Sequence, residues 1–360
     1  TRHPDQQPLS TAQISAFDHL GERRASVPAS ETGHYRLALP PGQYTLKVDA
    51  FGYAPRTITN VAVQTALTAT VDVHLVPLPT GVLWGQVRNA ETGGPVGADL
   101  AIAGTPAHTT SDPQMGQYSL PLPEGTYTLL TSKNGYRFHT VSDLEIVADQ
   151  ATRQDIDLTP APTLLLVDSG SWYYGSRIEF FEKALDDGSY VYDTWKIRNL
   201  KTDLPELSDL ETYDITIWSA PHDAPGLIGA GDTISNYLGT EGNLFLTGQD
   251  VGFWDGGLSA VGWHRYYVEQ LKAQALSDDA GRGDLVGLPG EFLHGLSLAM
   301  NAEDSAANQS SPDSISVWDL RDAAIIGHYS DDGGAALRAS GCHTYQAVYL
   351  YVGFLGDVQF

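Results

Sequence analysis

The residues of this sequence best placed to do chemistry stand at the ends of its most apolar runs. Asp168 closes Thr163-Leu164-Leu165-Leu166-Val167. His222 and Asp223 follow Asp214-Ile215-Thr216-Ile217-Trp218-Ser219. Gln249 and Asp250 follow Asn243-Leu244-Phe245-Leu246-Thr247-Gly248. Trp172, Tyr173, Tyr174 and Trp254 lie in the adjoining stretches. Carboxylates beside aromatic rings suit a divalent cation or a sugar. This makes Asp168, Trp172, His222, Asp223, Gln249, Asp250 and Trp254 the candidate ligand-binding set, with Asp168 and Asp250 as the calcium candidates. Gly248-Gln249-Asp250-Val251-Gly252 also fits glycine-x-nucleophile-x-glycine, with Asp250 as the group that attacks carbon. That reading needs a late histidine, and His294, His328 or His343 are the nominees. Small residues suit any strand-to-helix turn, so the short pattern alone assigns no catalytic residue.

These positions have a common address only if the runs that carry them are parallel strands. A continuous apolar run such as 163–168 is typical of a strand buried on both faces. Helical spacing follows over Ser176 to Asp187, Leu227 to Leu238 and Trp263 to Leu276, with a strand at 191–195 between. Alternating strands and helices predict a parallel sheet covered by helices. Ligands of such sheets sit at the carboxyl ends of the strands, so the candidate residues are expected on one rim. Beyond residue 277 the pattern loosens, and strands are expected at 324–329, 335–339 and 346–354.

The first 160 residues are organised differently. Gly33-His34-Tyr35, Gly42-Gln43-Tyr44 and Gly52-Tyr53 are answered by Gly116-Gln117-Tyr118, Gly125-Thr126-Tyr127 and Gly135-Tyr136, each 83 positions on. The same offset carries Asp72, Leu75 and Pro77 onto Asp155, Leu158 and Pro160. A constant offset means two copies of one domain. Tyr35, Leu37 and Leu39 alternate with polar neighbours, as do Tyr44, Leu46 and Val48, which predicts half-buried strands. Pro40-Pro41-Gly42 and Pro123-Glu124-Gly125 read as hairpin turns between them. Gln7-Pro8 matches Gly94-Pro95, and Gly85-Gln86-Val87 has no counterpart in the first copy. The first sandwich is therefore expected to lack an edge strand at its start, and the chain reads as a piece of a longer polypeptide. The domains expected are 1–79, 80–162 and 163–360.

Residues 85–160 resemble the carboxypeptidase regulatory-like, transthyretin-like β-sandwich family. The pattern is Gly85-x-Val87, Gly94-x-Val96-x-Ala98, Gly116-x-Tyr118, Gly125-x-Tyr127 and Gly135-Tyr136, and residues 7–77 match its later part. Residues 163–360 resemble the class I glutamine-amidotransferase-like domains. The resemblance rests on Leu165-Leu166-Val167-Asp168, Tyr213–Ser219, Tyr237-Leu238, Gly242–Asp250 and Tyr345–Leu350. It implies a multidomain chain: two all-β sandwiches, transthyretin/Ig-like, followed by an α/β flavodoxin-like domain. This order is similar to the C-terminal regions of large secreted bacterial subtilisin-like serine peptidases. That resemblance implies a secreted, extracellular location and an upstream peptidase domain of the same polypeptide as partner. Val167-Asp168-Ser169-Gly170 imitates a peptidase aspartate motif, yet no His-Gly-Thr or Gly-Thr-Ser-x-Ala follows to complete a triad. An amidotransferase carries a nucleophilic Cys on the turn after a central strand. Here that turn is Thr247–Gly252, without Cys, and Cys342 lies far downstream.

Composition narrows what remains. The net charge is −24, with 10 basic against 15 acidic residues over 1–162 and 10 against 29 beyond. Such acidity argues against nucleic acid and anionic membrane surfaces. A single Cys excludes an internal disulfide and a thiolate zinc cluster. The expectation is a non-catalytic spacer and binding region of a subtilisin-like peptidase, with a protein or carbohydrate ligand and no cofactor other than calcium. The alternatives are a carbohydrate- or cell-surface-binding module without a peptidase, and a hydrolase centred on Asp250.

Overall fold

The computed structural model describes residues 7–173, 175–279, 284–298, 311–329 and 333–341, with the backbone of 346–350. The chain divides into two compact units. One is Thr1–Ser132 with His139–Leu158, and the other is Lys133–Phe138 with Thr159–Phe360. The first is built from β-sheets, and the helices lie in the second.

The second sandwich shows the complete pattern. Thr80–Asn89 is the centre of one sheet, antiparallel to Gln117–Pro123 and parallel to Ala151–Arg153 and Ile156–Leu158. The facing sheet runs His139–Ile146, Gly125–Ser132, Asp99–Ile102, His108–Thr110. Alternation puts Leu83, Val87, Leu100, Leu120, Leu122 and Leu129 into the space between the sheets, all buried. Pro123-Glu124-Gly125 is not a hairpin turn. Its two strands belong to opposite sheets, so this corner carries the chain across the sandwich. Tyr127 holds the corner by donating its hydroxyl to Pro123 O at 3.0 Å. Tyr44 does the same for Pro40 O at 2.9 Å in the first copy.

In the first copy one sheet forms, in the order Arg23–Pro28, Gln13–Phe17, Gly42–Asp49, Arg56–Val63. The strand expected at Tyr35–Leu39 does not form. Its counterpart, Gln117–Pro123, pairs with Thr80–Asn89, and the first copy supplies no such partner among the described residues. The 83-residue offset puts the counterpart of Thr80–Asn89 at residue 6 and before, outside the described residues, and in the second copy that strand is central in its sheet rather than at an edge.

The second unit contains an eleven-stranded mixed sheet. Five parallel strands stand in the order Tyr192–Lys196, Leu164–Asp168, Ile215–Ser219, Asn243–Thr247, Gln346–Leu350. Leu164–Asp168 is buried at every residue, as a strand covered on both faces must be. Helices Ile178–Asp187 and Gly231–Gly239 and the short Val251–Asp255 provide cover. Beyond the parallel part, Gly334–Ser340, Ala323–Tyr329, Leu285–Gly287 and Ser297–Leu298 continue the sheet antiparallel. The helix expected over 263–276 is replaced by a π-helical turn, Tyr266–Gln270, and a strand, Ala273–Ser277, paired with Ser314–Val317. A partner strand from 41 residues away overrode the local spacing there. Among the described residues, no helix is long and apolar enough to cross a membrane.

Candidate functional site

The rim is set by register. Asp168 pairs with Ser219, and Ser219 with Thr247, so three neighbouring strands end level. The loops after them carry every candidate residue, and they sort into two groups.

The first group lies at the crevice between Leu164–Asp168 and Ile215–Ser219, flanked by Tyr192–Lys196 on one side and Asn243–Thr247 on the other. Asp168 is fully buried. Its Oδ1 accepts Gly170 N–H at 3.1 Å, and its Oδ2 accepts the hydroxyls of Ser171 and Ser176 at 2.8 and 2.7 Å. Those donors shape the 169–176 loop and fill three of the carboxylate's four or so acceptor positions, so Asp168 is a loop clamp. Asp223 is likewise buried. Trp172 Nε1 donates to its Oδ2 at 2.7 Å, and Ser169 Oγ lies 2.8 Å from its Oδ1. Burial pushes the Asp223 carboxyl up to about 7, against the pull of those two hydrogen bonds, and the nearby Asp255 and Asp168 add to the rise. Ser169 Oγ also lies 2.8 Å from Ser219 O and accepts Trp218 Nε1 at 3.2 Å, so its one hydroxyl proton is shared between Ser219 O and Asp223. Asp255 is a third buried carboxyl, accepting Gly226 N–H, Leu227 N–H and the Tyr266 hydroxyl. The indole of Trp172 thus occupies the crevice where a ligand of such a sheet would lie.

The second group lies on the turn after Asn243–Thr247. A Cβ on Gly248 would run into the Ala220 carbonyl, which is why the strand turns here on glycine. Gln249 Nε2 donates to His222 Nδ1 at 2.6 Å, and Gln249 Oε1 accepts Ser311 N–H at 3.3 Å. Burial lowers the His222 pKa, with Arg177 adding to it, which matches a ring nitrogen acting as acceptor. Asp250 begins helix Val251–Asp255 without capping it. Its side-chain oxygen lies within 4.8 Å of oxygens from Asp278 and Asp313. Burial raises the Asp250 carboxyl to about 6, and Asp278 repels it further upward. Asp313 is buried and accepts Phe253 N–H at 2.7 Å. A Cβ on Gly252 would stand 2.7 Å from the same Asp313 oxygen, so that contact needs glycine there. Trp254 packs against the main core and edge-on against Phe253, with 4.8 Å between centroids.

Sequence reasoning missed Asp278 and Asp313. Both come from the loosely patterned region past residue 276, and only its bulk acidity drew notice. The three carboxylates form an all-oxygen donor set of the kind a hard cation takes, with half of calcium's six to eight ligands. Among the described residues no histidine is hydrogen-bonded or ion-paired to Asp250. His328 Nδ1 lies 2.6 Å from the Tyr329 carbonyl. Cys342, His343 and Tyr174 lie outside the described residues.

Residues 1–76 and 82–159 each match the family model of the carboxypeptidase regulatory-like domain. The two tandem sandwiches are thus similar to regulatory-like domains. The chain is 33% identical over 130 residues to bacillopeptidase F of Bacillus subtilis, a match spanning 35% of this chain and 9% of that protein. Among solved structures, the minor pilin GBS52 of Streptococcus agalactiae matches with 13% identity and a TM-score of 0.25, over 44% of this chain and 86% of that one. The TIE protein of Bacillus anthracis matches with 17% identity and a TM-score of 0.22, over 44% and 32%.

Proposed function

We propose that this chain is a non-catalytic accessory region of a large, secreted subtilisin-like serine peptidase, whose peptidase domain is its partner in the same polypeptide. The tandem regulatory-like domains serve as spacers. The parallel strand order, second-first-third-fourth-last, supports reading the second unit as a flavodoxin-like domain of the class I glutamine-amidotransferase kind that has lost its chemistry. One observation carries the non-catalytic reading. The turn where such a domain places its nucleophile presents Gln249, tied to His222 and Ser311, and Asp250, surrounded by carboxylates. A carboxyl raised by burial and like charge is a poor nucleophile at neutral pH, and among the described residues no histidine is bonded to it. For the calcium expectation, the reading moves the ligand set from Asp168 and Asp250 to Asp250, Asp278 and Asp313. The similarity to bacillopeptidase F supports the peptidase context. Casein and p-nitrophenyl ester assays test the reading: no turnover above background is expected. Turnover abolished by Asp250→Asn would replace it with the hydrolase.

A carbohydrate or cell-surface ligand is the second reading. It is favoured by indoles that stand in solvent, Trp263 at 60% and Trp318 at 52% exposure. Aromatic faces of this kind stack on sugars. Glycan-array binding lost in Trp263→Ala would support it.

A further inference from the structure

The second sandwich turns one uncharged aromatic face to solvent. Alternation along Thr80–Asn89 sends Val82, Trp84 and Gln86 away from the core. Register sets Ser119 and Arg153 on either side of Trp84, Pro121 beside Val82, and Gln117 beside Gln86. Val82 is 39% and Trp84 41% exposed. Arg153 is the charged member of this group, and it is neutralised: its Nε and Nη2 donate to the two Asp155 carboxylate oxygens at 3.3 and 2.8 Å. Its guanidinium carbon lies 5.2 Å from the Trp84 ring centroid on one flank. On the other flank the neighbour is Ser119, too small to cover an indole.

Size and chemistry decide what covers such a face. Three strands about 4.8 Å apart, with outward residues about 6.6 Å apart along each, make a platform on the order of 200 Å2. A stable protein partner, or a second copy of the chain, covers about 800 Å2. A proline-rich peptide docks in an aromatic-lined groove, whereas this face offers a single ring among amides and a hydroxyl. A short run of sugar rings fits both the area and the groups present. The C–H face of a pyranose stacks on an indole, and the side chains of Gln117 and Ser119 can donate to and accept from hydroxyls. The net charge of −24 repels an acidic glycan and leaves a neutral one unaffected. We propose that the outer face of the second sandwich binds a neutral, β-linked glycan chain, with Trp84 as the stacking residue and Gln117 and Ser119 as its hydroxyl contacts. A β-linked chain of equatorially substituted pyranoses extends as a flat ribbon, which matches a strand face better than a coiled α-linked chain does. This site is independent of Trp263 and Trp318 and of the peptidase reading.

The probes are cellohexaose and chitohexaose, each titrated calorimetrically into the full chain. Saturable binding of at least one is expected at millimolar sugar or below. Trp84→Ala should weaken it by about tenfold or more, and Trp84→Tyr, which keeps a ring, should hold it within about threefold. Both changes lie on the surface, and matching urea unfolding curves confirm that the variants fold. Trp263→Ala and Trp318→Ala should bind as the unmodified protein does. Binding of neither hexaose would overturn the proposal, as would undiminished binding by Trp84→Ala. Binding lost in Trp263→Ala but kept in Trp84→Ala would overturn it in favour of the carbohydrate reading of the second unit. A proline decapeptide bound through Trp84 more tightly than either sugar would overturn it in favour of a peptide partner.

Discussion

Asp168 and Asp250 stand on the same level rim, at strand ends separated by Ile215–Ser219, yet their surroundings are opposite. Asp168 is met by one N–H and two hydroxyls. Asp250 is met by two other carboxylates. A buried carboxylate whose oxygens are filled by protein donors is part of the fold. One that faces like charges leaves a demand which a proton or a cation must meet. The same residue type at the same sheet edge therefore has different work, and burial alone would not separate the two.

Three experiments sharpen or break this contrast. The largest effect is expected for Asp168→Ala. It strips the acceptor from three donors, and leaving buried groups unsatisfied costs about 3 kcal/mol. Asp278→Ala, on the exposed member of the other group, should change stability by no more than about 0.5 kcal/mol. Urea unfolding followed by tryptophan fluorescence compares them, and equal losses would erase the distinction.

The second concerns pH. Folding raises the Asp223 carboxyl to about 7 from its ordinary value of 3.8. The folded state then binds more protons than the unfolded one between those values, so stability is fully present below about 4 and is lost as pH rises through about 7. Asp223→Asn keeps an acceptor for Trp172 and a donor toward Ser169. It should flatten the fall in melting temperature across that window. Asp250 contributes in the same direction up to about pH 6. An unchanged slope in Asp223→Asn would show that the buried carboxyl does not hold its proton.

The smallest effect is expected from calcium. At a tenfold excess over its Kd a ligand adds about 1.4 kcal/mol, or about 3–6 °C in melting temperature for a unit of this size. The rise should vanish in Asp250→Asn and persist in Asp168→Asn variants that fold. No rise in the unmodified protein would leave the carboxylate group with a proton instead.

Much of this was legible in the residues. The 83-residue offset survives in three dimensions down to single hydrogen bonds, Tyr35 to Val71 and Tyr118 to Gln154. Apolar runs ending in Asp168, Ser219 and Thr247 read directly as parallel strands because burial on both faces erases alternation. What could not be read depended on partners far along the chain. Tyr35, Leu37 and Leu39 alternate as a strand should, but a strand exists only when another pairs with it. Ala273–Ser277 continued a helical spacing until Ser314–Val317 captured it. Asp278 and Asp313 meet Asp250 only through that antiparallel half of the sheet, where short strands and acidic loops leave no periodicity to follow.

The uneven charge described at the outset has a consequence for the protein as a colloid. The first 162 residues, with 10 basic against 15 acidic side chains, carry little net charge of their own. Most of the −24 lies beyond residue 162. Repulsion between molecules is therefore supplied by one part of the chain on behalf of another, over a range of about 10 Å at 0.1 M salt and about 3 Å at 1 M. Solutions of this protein should be clearest when dilute in salt, and should cloud as ionic strength shortens that reach.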